Sequence, residues 1–124
     1  MPPAVFSGVT KAPEARGVTP LVTWGPGEEA LAKEVVSAGA GVVAPPTSLD
    51  ELAAVMAKAE VVVCNNTGPM HLSVAVGGKT VALFWKMPVA QWGHPAPPHV
   101  MLELTHEKDV EAMVGRVREA LERR

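Results

Sequence analysis

The chain has 124 residues, one cysteine, 48% hydrophobic residues and a formal net charge of −2. That length fits a single domain with one core, and the composition is that of an ordinary globular domain. The near-neutral charge gives no electrostatic basis for nucleic acid or anionic membrane as the main partner, and no apolar run is long enough to span a bilayer. Cys64 alone excludes an internal disulfide and fits a reducing compartment, and the Met1-Pro2-Pro3 start lacks the basic and apolar regions of a signal peptide.

Ala4 to Val9 has the pattern of a strand, and Pro13, Gly17 and Pro20 argue against a full helix after it. Only about ten residues then precede the next strand, too few for an ordinary parallel crossover, so the first βα unit is expected to be incomplete. Leu21–Trp24 is the next predicted strand, halted by Gly25-Pro26-Gly27. Glu28–Ala38 follows as a helix with Leu31, Ala32, Val35 and Val36 inward, and Val42–Ala44 as a brief buried strand. Ser48 and Glu51 form a capping box ahead of a helix whose apolar face runs through Leu49, Leu52, Ala53, Val55, Met56 and Ala59.

Val61–Cys64 is wholly apolar, as in a parallel strand covered on both faces. Pro69–Val76 is a predicted helix, Thr80–Trp85 another buried strand, 86–99 a loop rich in Pro, His and Trp, His99–Leu104 a last strand, and 107–122 a last helix. Alternating strands and helices predict an α/β fold, a Rossmann-like parallel sheet with helices on both faces.

Cys64-Asn65-Asn66-Thr67-Gly68-Pro69-Met70-His71 lies where a buried strand ends and a helix opens, the edge at which open α/β sheets bind ligands. Asn66 or Thr67 can cap the helix, Pro69 suits its first turn, and Gly68 lets a ligand approach the backbone. Unsatisfied N–H groups and the positive helix end suit phosphate, with His71 an added donor; an ordinary capped helix start fits the same residues. Gly25-Pro26-Gly27-Glu28-Glu29-Ala30 superficially matches a dinucleotide fingerprint, but no acidic residue follows the next strand. Glu28 and Glu29 can grip a ribose diol or simply favour their helix N-terminus. Cys64 with His71 is a poor nucleophile and base, because the cysteine ends a buried run. His94, His99 and His106 share no zinc spacing and are expected to be loop residues.

These blocks, in this order, resemble the C-terminal half of family 9 glycosyltransferases, the heptosyltransferases of lipopolysaccharide synthesis. The resemblance runs from about Gly17 to Leu104. It is carried by Thr47-Ser48-Leu49-Asp50-Glu51-Leu52-Ala53, by Ala59 to Leu72 and by Val81-Ala82-Leu83-Phe84. It implies the donor-binding C-terminal lobe of a two-lobed GT-B glycosyltransferase that inverts the anomeric centre without a metal or cofactor, using a nucleotide-diphosphate sugar such as ADP-heptose and a lipid-linked saccharide acceptor. Carried over, Lys11, Asn66, Thr67, Gly68, Met70 and His71 would surround the diphosphate. Gly25, Glu28, Glu29, Pro46 and Thr47 would hold the nucleoside. The resemblance assigns no catalytic residue within residues 1–124, because the acceptor lobe and its base are absent from them.

Three departures stand out. Asn66 replaces an aspartate of the family's pattern, Trp85-Lys86-Met87 replaces Gly-Pro-Thr, and the helix before the second strand looks deleted. The implied protein is cytoplasmic, with at most peripheral contact at the inner membrane, and a homodimer or a partner chain is expected to cover residues 4–20. Two other readings stay open: a non-catalytic nucleotide-binding module or degenerate remnant, and a dinucleotide-binding domain built on Gly25 and Gly27.

Overall fold

The structure, a computed structural model, describes residues 3–15, 17–65, 68–84, 99–104 and 109–123. The first element is a helix, α1 (Pro3–Ala15). Strands and helices then alternate through β1 (Leu21–Val22), α2 (Glu29–Ala38), β2 (Val42–Val43), α3 (Leu49–Lys58), β3 (Val62–Asn65), α4 (Gly68–Ala75) and β4 (Thr80–Phe84). The last two elements are β5 (Val100–Glu103) and a helix, α5 (Val110–Arg123). All pairings are parallel and fall into two groups, β1 with β2 and β3-β4-β5. Among the described residues no helix is long and apolar enough to cross a membrane.

β4 is buried throughout because it is the centre of its sheet and helices cover both faces. Its side chains alternate, as strand geometry requires. Val81 and Leu83 join Val5 and Val9 of α1, Leu102 and Leu104, and Met113, Val117 and Ala120 of α5 in the larger core. Ala82 and Phe84 point the other way, onto Met70, with Cys64 and Met101 packed beside them.

The expected strand over Ala4–Val9 is instead the first half of α1, and the helix that looked deleted ahead of β1 is α1 itself. Val5 and Val9, one helical turn apart, are both buried against α5, so tertiary packing overrides the poor helix propensities of Gly8 and Pro13. α1 covers the face of the sheet formed by Val81 and Leu83, while Val18 and Leu21 stay exposed beside it. What precedes β1 is a helix, so the incompleteness of the first βα unit consists of a helix with no strand before it among the described residues.

Two expected strand burials also change. Val42 is 51% exposed, because β2 is the outer strand of a two-stranded sheet. β3 is half-buried along its length, because among the described residues no strand lies beside its edge away from β4. In α3 the capping box forms as expected: Glu51 N–H donates to Ser48 Oγ and Ser48 N–H donates to Glu51 Oε1. Leu49, however, is 71% exposed rather than part of the inward face.

Candidate functional site

The loops that follow β1, β2 and β3 leave the carboxyl ends of their strands, the edge where parallel α/β sheets bind ligands. After β1, Gly25-Pro26-Gly27-Glu28 closes a tight turn in which Glu28 N–H donates to Gly25 O at 3.0 Å. Proline at the second position and Gly27 at φ 79° at the third make it a type II turn. The Glu28 carboxylate folds back and accepts from Gly25 N–H at 3.0 Å. Glu29 opens α2 and is exposed.

Trp24, a residue sequence reasoning did not single out as functional, joins two of these loops. Its Nε1–H donates to Ala44 O at 2.8 Å, tying the end of β1 to the end of β2 across 20 residues. A tryptophan that ends a short strand, one residue ahead of a glycine turn, was the available signal. Beyond Ala44, Pro46 is exposed and Thr47 half-buried, and both lead into the Ser48 cap of α3.

After β3, Asn66 and Thr67 lie outside the described residues, as do His94, His106 and Trp85-Lys86-Met87. α4 opens at Gly68, where an added Cβ would meet nothing within 4 Å. The Gly68 and Met70 N–H groups lie in the first turn and have no acceptor inside the helix, while Pro69 between them lacks an N–H to satisfy. Met70 offers a ligand only its backbone, because its side chain is wholly buried against Ala82 and Phe84. His71 is exposed on the first turn of α4. Together these form a donor-lined lip suited to an anion.

The same geometry argues against two other chemistries. At the Gly25 turn the N–H that would approach a pyrophosphate already serves Glu28, and two glutamates there repel one, which removes the physical basis of the dinucleotide reading. Burial pushes the Cys64 thiol up to about 12, so it stays protonated and is no nucleophile. Among the described residues no three His, Cys, Asp or Glu side chains are grouped to hold a metal ion.

A cavity of about 740 Å³ connects the loops, and Trp24, Glu28, Asn65 and Pro69 all line it. The structure therefore brings the β1 and β3 loops together, with the β2 loop tied to the first by Trp24. Lys11 does not join them. It is exposed on α1 next to Thr10, whose Oγ1 accepts from Ala40 N–H at 2.9 Å, two residues before β2 begins. That places Lys11 at the amino edge of the strands, opposite the α4 opening. His99 likewise precedes β5 at the amino edge.

The family model for glycosyltransferase family 9 (heptosyltransferase) matches residues 2–117. No curated protein matches the sequence significantly. Among solved structures, a glycosyl transferase family 9 protein from Veillonella parvula is similar at TM-score 0.80 and 23% identity, over 99% of this chain and 41% of that one. The E. coli heptosyltransferase WaaC with ADP is similar at TM-score 0.82 and 22% identity, over 96% of this chain and 39% of that one. The fold is thus that of these transferases, and the 124 residues span about two fifths of their length.

Proposed function

Because this chain belongs to glycosyltransferase family 9, the heptosyltransferase family, through residues 2–117, we propose that it binds a nucleotide-diphosphate sugar at the carboxyl edge of its strands. The observation that carries this reading is the opening of α4, where two backbone N–H groups without helical acceptors stand beside the exposed His71. The diphosphate lies there, with Asn66 and Thr67 directly ahead of it in sequence. Glu29 takes the ribose diol and Pro46-Thr47 flank the base. The similarity to WaaC, whose structure holds ADP, makes an ADP-sugar such as ADP-heptose the first donor to test.

The chemistry follows from the donor groups. When the bond between the sugar and the diphosphate breaks, negative charge gathers on the leaving group, and fixed N–H groups with His71 stabilise it without reorganising. Glu28 is already engaged with Gly25, and Glu29 is given to the ribose, so neither glutamate of the β1 loop is left as the base that would activate an acceptor hydroxyl. Inverting transfer to a lipid-linked saccharide therefore needs polypeptide beyond these 124 residues, in a cytoplasmic protein with at most peripheral contact at the inner membrane.

Calorimetric titration with ADP, UDP and GDP tests the reading. Saturable ADP binding is expected, weakened roughly tenfold in His71→Ala by the loss of one hydrogen bond to a charged group. Absence of binding to all three would favour a degenerate remnant, to which the amide of Asn66 in place of a family carboxylate already points. Acceptor-dependent release of ADP by the purified chain would refute the claim that it does not turn over alone.

A further inference from the structure

Trp24 makes a bond that the proposed function leaves unused. β1 and β2 pair in parallel, with Val42 N–H donating to Pro20 O and Ala44 N–H to Val22 O at 2.9 Å each, and the strands end at Val22 and Val43. In a parallel ladder the next rung would run from the Trp24 backbone N–H to Ala44 O. The indole Nε1–H of the same residue takes that carbonyl at 2.8 Å. A rung that runs along a side chain is longer than one made by the backbone, so the two chains part beyond it by the span of an indole. The indole only donates, so the bond cannot reverse, and Ala44 is buried, so water does not compete for its carbonyl.

The bonded carbonyl belongs to the Ala44–Pro45 peptide. Proline fixes φ at about −65° at Pro45 and again at Pro46, and it keeps the residue before each in extended backbone. Neither proline has an N–H with which to tie the loop to a neighbour. The loop is therefore a short, stiff segment clamped at its two ends. Trp24 holds Ala44, and the capping box of α3 holds Ser48, whose N–H donates to Glu51 Oε1 at 2.8 Å. The direction in which Pro46 and Thr47 leave the sheet follows from how Trp24 orients the first of these peptides. On its other side Trp24 runs directly into the Gly25-Pro26-Gly27-Glu28 turn, which leads to Glu29 at the start of α2. One side chain thus sets the spacing of two loops.

We propose that Trp24 is a positioning residue for the nucleoside: through Ala44 O it holds Pro46-Thr47, on the base side, at a fixed spacing from Glu29, on the ribose side. This role rests on the donor site proposed above and extends it to a residue outside the α4 opening. The two halves of that site have separate supports. The diphosphate half is the first turn of α4, which follows β3, whereas the nucleoside half hangs on β1 and β2, in the other group of strands. Loss of the indole donor therefore frees the nucleoside half and leaves the diphosphate half as it was. A freed loop must be ordered when the base binds, and that costs affinity.

Calorimetric titration of the whole chain with ADP and, separately, with inorganic pyrophosphate tests the role in wild type, Trp24→Phe, His71→Ala and Gly78→Ala. Trp24→Phe should weaken ADP roughly tenfold, because the loop is ordered at binding rather than before it, and should leave pyrophosphate within about twofold. His71→Ala should weaken both ligands. Gly78→Ala strains the connection at the far end of α4, so it controls for lost stability alone and should change neither. Benzothienylalanine at position 24 exchanges the indole N–H for sulfur in a ring of the same size. It should act as Trp24→Phe does, and it stands in for that variant if Trp24→Phe does not fold. The proposal is overturned if both changes at position 24 leave ADP binding as in wild type, or weaken ADP and pyrophosphate equally. It is also overturned if Gly78→Ala loses ADP as Trp24→Phe does. In all these cases wild type still binds ADP and the donor site stands. A wild type that binds neither ligand overturns the donor site itself, and the role of Trp24 with it.

Discussion

Cys64 stands at the end of β3, one position before the last residue of the strand, and its surroundings decide its chemistry. Its thiol is pushed up to about 12 by burial against Met70 and Phe84. We expect it to resist iodoacetamide at pH 8 in the folded chain and to react at once in urea, as mass spectrometry would read. The thiol ionises near 9.0 when unfolded and near 12 when folded, so stability falls as pH rises between those values. Trp24 is set by a different pairing. Trp24→Phe keeps the ring but leaves the buried Ala44 carbonyl without its donor, at an expected cost of about 1–3 kcal/mol in urea unfolding. An unchanged urea midpoint would mean that the bond between the two loops contributes nothing.

Elements of this fold are held by short local devices. Ser48→Ala removes half of the α3 capping box and should lower stability by about 1 kcal/mol. The Glu51 carboxyl is held below its ordinary value of 4.5, chiefly by the backbone N–H of Ser48. Its contribution is therefore present above 4.5 and fades as pH falls through the lower folded value, and Glu51→Gln should remove that portion of the acid unfolding profile. Gly78 leaves no room for a methyl group: an added Cβ would lie 2.7 Å from Ser73 Oγ and 3.1 Å from Met56 O. Gly78→Ala should cost about 1–3 kcal/mol through overpacking at the tight connection from α4 to β4.

How far the elements were legible depended on whether local signals agreed with packing. The α3 cap, the run of Thr80–Phe84 and the turn at Gly25-Pro26-Gly27 follow directly from their residues. α1 was not legible, because Gly8 and Pro13 weaken its helical signal and the burial of Val5 and Val9 depends on α5, which comes a hundred residues later. Lys11 entered the expected phosphate site through the family resemblance alone, whereas the helix sets it at the opposite edge. The α4 opening was legible because glycine and proline act within a few residues. Trp24 was not, since its partner Ala44 lies 20 residues away.

At the scale of the molecule, two part-sheets share one cavity, and the loops at its carboxyl edge carry the residues proposed to hold a nucleotide. Membership of glycosyltransferase family 9 and the fold it shares with the solved transferases account for that arrangement. The donor site makes its demand on the α4 opening. The most direct measurement is a nitrogen-edited NMR titration of the labelled chain with ADP. The account predicts progressive, saturable shifts at Gly68, Met70 and His71, with smaller ones at Glu29 and Thr47, and none at Lys11. Shifts confined to the Gly25–Gly27 turn, or none at saturating ADP, would contradict it.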